Sequence, residues 1–428
     1  MISSKRVLVI SNNCFSQSNS NGRTLGNLFY GWPKNKLAQF CVIAKDPNWD
    51  LCDNYYCLED KTVLRAFLHL KKASGRSLHF SNNSQAKFQN AVDTQRANIG
   101  SKTLCKVMLR ELVWSCKRWN SQSFKTWVDN FNPEVIVLQV GDTSFMIEIA
   151  MHIADAKNIP LLVYNTEGYY FFPRNWHSPS SLDCILFPIY RSNYRKKFKK
   201  LMQLANHSVY LNDKLQEDYD KAFDKPSSVI YNSSDMLPFE GDLFMESIPT
   251  ISYLGNLGLD RDSALIEVGE VLQDLNSNYH IDVYGAANEI MKERFEHARG
   301  IQYHGMVSYD KVKEIIGESD ILFHVESEAG YKSRQLQYAF SGKIADSISS
   351  GKCFVLYAPK ELACSKYLID TGAGWFAESK ENLKKVLQDV ISDSNKRSKI
   401  LSKAKLVAKR NHTFEGNAIR FQNLLMEI

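Results

Sequence analysis

A lysine and an acid three residues apart, Lys343 and Asp346, open a helical segment that Gly351 closes. Residues 319–324 before it and 353–357 after it read as buried strands, so strand, loop, helix and strand make one parallel βαβ unit. In such a unit the loop at the strand's carboxyl end and the unpaired N–H groups of the first helical turn form an anion site. Ser341 and Gly342 lead into that turn, Lys343 adds a point charge, and Asp346 lies one turn on along the same face. The pair suits a phosphate and a sugar hydroxyl. A second loop of the same kind follows the apolar run 250–254. There Gly255, Asn256 and Gly258 allow backbone N–H groups close to a diphosphate, and Arg261 offers a planar fork for phosphate oxygens. Taken alone, that loop also fits an ordinary β-to-α turn with a surface arginine. Two acids, Asp142 and Glu167, follow apolar runs at strand carboxyl ends, where each can serve as a general base or merely cap a helix.

The stretch 339–353 resembles the nucleotide-sugar loop of glycosyltransferases with the GT-B fold, in the broad group similar to glycosyltransferase family 4. The resemblance implies a donor site in which Asp346 holds the ribose hydroxyls, Lys343, Arg261 and the glycine loop face the diphosphate, and Gly285, Met306 and Val307 line the base. It implies also that Asn21, Gly22 and Arg23 face the acceptor. The family's usual Glu is Asp346 here, its usual Arg after the first glycine is Asn256, and its second Glu is Tyr338; Glu326 and Glu328 are the nearby acids that can substitute. The implied activity is transfer of a hexose from a nucleotide diphosphate sugar, the co-substrate in place of any cofactor, without a metal and with retention favoured. The acceptor is a glycan or polyprenyl-diphosphate-linked glycan in surface polysaccharide biosynthesis. A non-catalytic GT-B partner subunit and a sugar-nucleotide epimerase are the alternatives.

The elements that must position these residues follow from the wider pattern. The 428 residues are enough for two to three domains, and 44% hydrophobic with 23% charged residues is ordinary for a globular enzyme. No apolar run approaches the ~20 residues of a membrane span, and residues 1–6 lack a signal-peptide core. Nine scattered cysteines suit reduced thiols. A cytoplasmic chain is expected. Short apolar runs at 7–11, 134–139, 160–164, 208–211 and 228–231, then at 250–254, 280–284, 301–304, 321–324 and 353–357, alternate with helical patterns. Two Rossmann-like α/β domains facing across a cleft are predicted: 1–236 for the acceptor, 237–410 for the nucleotide sugar, and a 411–428 helix crossing back. Residues 24–30 and 104–131 read as helices, the latter with Leu112, Val113, Cys116, Trp119, Trp127 and Phe131 as its core stripe. Segment 71–102 reads as a loop or lid, and 232–247 as the linker.

Charge is uneven. Residues 1–245 hold 30 Lys/Arg against 22 Asp/Glu, and residues 246–428 hold 23 against 25. With no nucleic-acid motif present, the basic half points to an anionic membrane surface and a peripheral location on the inner face of the cell membrane. The helix 190–202 places Tyr190, Tyr194, Phe198 and Met202 on one stripe among Arg191, Arg195, Lys196, Lys197, Lys199 and Lys200, which fits a membrane-surface helix or a helix packed on the sheet. Asp260 and Asp262 match a D-x-D triplet that belongs to another glycosyltransferase fold and are not read as metal ligands.

Overall fold

A computed structural model of the chain describes residues 4–78, 103–173, 182–236, 245, 247–328 and 336–428. The predicted loop therefore lies outside the described residues from 79 onward, as do 237–244 and 246 of the predicted linker.

The chain divides into two compact units, one of residues 1–230 with 418–428, the other of residues 231–417. In the first, eight strands order as β4-β3-β2-β1-β5-β6-β7-β8: β1 (Val7–Asn13), β2 (Leu37–Ile43), β3 (Tyr55–Cys57), β4 (Arg76–Leu78), β5 (Val135–Gln139), β6 (Leu161–Asn165), β7 (His207–Tyr210) and β8 (Ser227–Val229). All neighbours pair parallel except β4, which runs antiparallel to β3. The sheet is covered on both faces, so its central strands are largely apolar and buried, as β5 shows with all five residues buried. In the second unit six parallel strands order as β11-β10-β9-β12-β13-β14: β9 (Ile251–Leu254), β10 (Ile281–Tyr284), β11 (Ile301–Gly305), β12 (Ile321–Val325), β13 (Cys353–Tyr357) and β14 (Trp375–Ala377). This is the doubly wound order in which the chain reverses direction across the sheet between β9 and β12. Ligands bind outside the carboxyl ends of strands at such a switch point, and both predicted phosphate loops emerge beside it.

The helix Phe414–Glu427 ends in the first unit, where Phe421 and Leu425 join the core and Phe421 meets Phe29 edge-on at 5.3 Å. The predicted helix over 104–131 is two helices, Leu104–Ser115 and Gln122–Phe131. Lys117 takes a left-handed φ of 51°, and Ser121 caps the second helix by accepting from the Phe124 N–H. The break turns Leu112 and Cys116 outward, while Trp114, absent from the predicted stripe, stacks on Phe145 at 4.2 Å. The predicted helix at 24–30 starts earlier, at Ser20–Asn27.

Candidate functional site

The loop after β9 is shaped by its glycines. An added Cβ at Gly255 would stand 2.7 Å from the Tyr253 hydroxyl, and one at Gly285 would stand 2.1 Å from the Gly255 carbonyl oxygen, so the β9 and β10 loops touch backbone to backbone. Asn256 turns its side-chain oxygen back to accept from the Gly258 N–H at 2.9 Å. Leu259 and Asp260 then both adopt left-handed φ, 63° and 60°, and the helix Arg261–Leu275 begins.

Arg261 does not reach outward. Its guanidinium grips Glu326 through two bonds, Nε to Oε2 at 3.0 Å and Nη2 to Oε1 at 2.8 Å, and Nη1 donates to the Gly258 carbonyl at 3.3 Å. His324, on β12, stands 3.0 Å from the same Glu326 oxygen. All three side chains are buried. Burial pushes the Glu326 carboxyl up, but the His324 hydrogen bond and the Arg261 charge outweigh it, and the group lies below the usual carboxylate range. Burial likewise lowers His324, with the charges of Arg261 and Lys343 acting in the same direction and Glu326 opposing them; the imidazole is neutral at pH 7. Arg261 and Glu326, both expected as donor contacts, are paired with each other, and together they fix the loop carrying Gly255, Asn256 and Gly258.

The other half of the site is the helix Gly342–Ser349 after β12. Ser341 caps it, accepting from the Lys343 N–H at 3.3 Å, and Lys343 is half-buried in the first turn. Asp346 is buried one turn on and accepts from the Ser234 hydroxyl at 2.7 Å. Ser234, 112 residues away, was invisible to local pattern. Tyr338, at the family's second Glu position, is buried, whereas Glu328 is exposed. After β11, Met306 is 61% exposed and Val307 packs against the cluster of Leu254, Ile315, Ile316 and Leu322. Asp262 of the D-x-D triplet is buried in an ion pair with Arg294, which also donates to Ser263 at 3.1 Å. No group of three His, Cys, Asp or Glu residues is placed to hold a metal among the described residues.

In the first unit Asn21, Gly22 and Arg23 lie in a helix rather than the predicted loop. Asn19 caps that helix by accepting from the Gly22 N–H, and a Cβ on Gly22 would stand 2.4 Å from the Cys14 carbonyl oxygen. Gly22 is required by packing. Asp142 and Glu167 follow β5 and β6, and Tyr169 joins them: burial, then the charges of Glu167 and Asp142, raise its phenol. Burial alone pushes the Glu167 carboxyl up to about 7. Tyr190 donates to the Asp142 carbonyl and Tyr194 to the Gly141 carbonyl at 3.0 Å, so the 190–202 stripe faces the protein. Lys197 also turns inward, 3.2 Å from Glu148 and 3.0 Å from Ser144 Oγ. Of the basic residues expected to face a membrane, Lys196, Lys199 and Lys200 remain exposed.

Residues 268–423 match a family model described as "Glycosyl transferase-like". No curated protein matches the sequence significantly. Among solved structures, HepE from Anabaena in complex with UDP is 11% identical at a TM-score of 0.60, the match spanning 99% of this chain and 100% of that one. HepE is also solved with UDP-glucose. Sucrose-phosphate synthase from Thermosynechococcus elongatus is 9% identical at a TM-score of 0.61, over 98% of each chain. At such identities the likeness is one of fold, and the fold is GT-B: two parallel-sheet α/β units in one chain.

Proposed function

We propose that this chain is a glycosyltransferase that uses a nucleoside diphosphate sugar. The observation that carries the reading is that the paired strands β9 and β12 lead into a glycine loop pinned by Arg261 and Glu326 and into a helix start bearing Lys343 and Asp346. In the reaction the bond from the anomeric carbon to the diphosphate oxygen breaks, the acceptor hydroxyl oxygen bonds to that carbon, and its proton passes to the departing diphosphate oxygen. Negative charge gathers on the leaving diphosphate. Lys343 and the N–H groups of the two loops stabilise it in a preorganised field, which is where such sites gain most of their rate. Asp346 accepts from the ribose hydroxyls, oriented by Ser234. Gly285, Met306 and Val307 border the base.

Uracil is the first base to test, because the HepE structures are complexes with UDP and UDP-glucose. The reading calls on no metal, since its positive charge comes from Lys343 and backbone dipoles, and it favours retention. In an inverting variant of the reaction, Glu167 or Asp142 takes the acceptor proton. Transfer of a hexose to a lipid-linked glycan, within surface polysaccharide assembly, fits the basic first half of the chain. One observation favours a second reading, a non-catalytic partner subunit: the buried Tyr338 stands where the resembling family has an acid.

Thermal unfolding in the presence of UDP, GDP, ADP and their sugars tests the proposal, because a ligand of the folded state raises the apparent Tm. A shift with one nucleotide, lost in Lys343→Ala, is expected. No shift with any nucleotide would overturn the donor site; binding without turnover on any lipid-linked glycan would favour the partner subunit.

A further inference from the structure

Three neighbouring helices of the first unit carry an outward apolar surface. Asp60–Leu68 packs on Leu104–Ser115, which in turn packs on Asp183–Leu204. Of the 17 large hydrophobic side chains exposed among the described residues, seven lie on these three helices. Leu64 and Leu68 belong to the first, Leu109 and Leu112 to the second, Ile185, Ile189 and Leu204 to the third; Leu68 is 67% exposed, Leu112 56% and Ile185 63%. Exposed leucines are normal singly, but a cluster over adjacent elements marks an interaction surface.

The longest helix shows what kind of surface it is. Along its outward face Ile185 and Ile189 are followed, at helical spacing, by Lys196 and then Lys199 and Lys200. The inward face is closed by Tyr194, Phe198 and Met202. Apolar side chains flanked by exposed lysines are the pattern of a helix lying in a lipid–water interface, its leucines and isoleucines among acyl chains and its ammonium groups among anionic head groups. A second copy of this chain fits less well, because the lysine frames of two such faces would meet with like charge. Among the described residues no helix is long and apolar enough to cross a membrane.

We infer that this three-helix face docks the protein on the surface of an anionic bilayer, with Leu68, Leu112, Ile185 and Ile189 entering the acyl boundary and Lys196, Lys199 and Lys200 contacting head groups. The inference is independent of the donor chemistry proposed above and replaces the inward stripe with the opposite face of the same helix.

Flotation of the full chain with phosphatidylcholine vesicles, and with vesicles containing half phosphatidylglycerol, tests it. The wild type is expected to partition onto the anionic vesicles. Leu68→Ser, Leu112→Ser, Ile185→Ser and Ile189→Ser combined leave charge unchanged and touch only exposed positions, and should lower partitioning at least tenfold. Lys196→Gln, Lys199→Gln and Lys200→Gln combined should lower it roughly 100-fold on anionic vesicles, at about tenfold or less per lysine, with no change on neutral ones. Failure of the wild type to float with either vesicle overturns the inference. So does undiminished binding by the serine variant, or a wild-type dimer that the serine variant converts to a monomer while vesicle binding is unaltered.

Discussion

Replacing Glu326 with alanine leaves the Arg261 guanidinium buried without its anionic partner, with only the Gly258 carbonyl still accepting from it. Glu326 accepts three hydrogen bonds, two from Arg261 at 2.8 and 3.0 Å and one from His324 at 3.0 Å, and all three side chains are buried. Breaking a buried pair from one side costs about 3–5 kcal/mol, far more than the net worth of the pair, because the surviving charge stays desolvated. The second unit should lose that much stability. Since both units contribute to any global probe, hydrogen–deuterium exchange of the β9 and β12 amides is the suitable assay. At about 1.4 kcal/mol per factor of ten, their exchange should accelerate by about two to three and a half orders of magnitude. Arg261→Met with Glu326→Leu removes both charges together and should restore most of the protection, as apolar replacements of buried pairs do. Even so, the double variant should bind nucleotide more weakly, because the Gly258 carbonyl loses its tie to Arg261. Less than a fivefold acceleration in Glu326→Ala would refute the reasoning, and so would a double variant as unstable as the single one. The carboxyl has a folded pKa below its ordinary 4.5, so the pair's contribution is present above that pH and is lost as pH falls through the folded value.

Three further outcomes are expected. Asp346→Ala should weaken binding of the preferred nucleotide about tenfold to 100-fold, the range of a hydrogen bond to a charged group, and Ser234→Ala by less; calorimetry showing the reverse order would remove Asp346 from the donor site. If Glu167 acts as a base, its anion is the working form, so the rate should climb through about pH 7 and Glu167→Gln should cut kcat by about 100-fold or more; a flat profile from pH 6 to 8 excludes it. His412, lowered by burial to about 4, donates Nδ1–H to the Asn232 carbonyl and accepts from Tyr367. The unfolded state therefore takes up a proton first as pH falls below 6.5, costing the second unit about 3 kcal/mol by pH 4. Exchange protection that drops equally in His412→Gln would refute this.

Much of this architecture was legible because parallel strands covered on both faces are continuous apolar runs. Residues 319–357 read as strand, helix and strand for that reason. The run Leu37–Ile43 escaped because Gln39 interrupts it, yet Gln39 is fully buried, donating to Ser11 at 2.7 Å and accepting from the Phe15 N–H at 2.7 Å. β3 and β14, three residues each, are too short to show a period. At the site, residue type marked Arg261, Glu326, Lys343 and Asp346 as charged groups near strand ends. It could not show that Arg261 and Glu326 spend their charge on each other, because a pairing across 65 residues leaves no local trace. Spacing left both faces of the 190–202 helix open for a related reason: it reveals that a helix is amphipathic, but which face meets the core is decided by neighbours such as Gly141, Ser144 and Glu148.

The place of Phe421 and Leu425 in the first unit's core bears on how the protein is made. Those side chains leave the ribosome roughly 190 residues after residue 230, a delay of about 10–40 s at usual synthesis rates. Until then Phe29, edge-on to Phe15 and Trp32, lacks Phe421, and the nascent sheet has an unfilled hollow beside it. The second unit, contiguous in the chain, can finish first, so the polypeptide's earliest half is completed last and is the stage most in need of a chaperone.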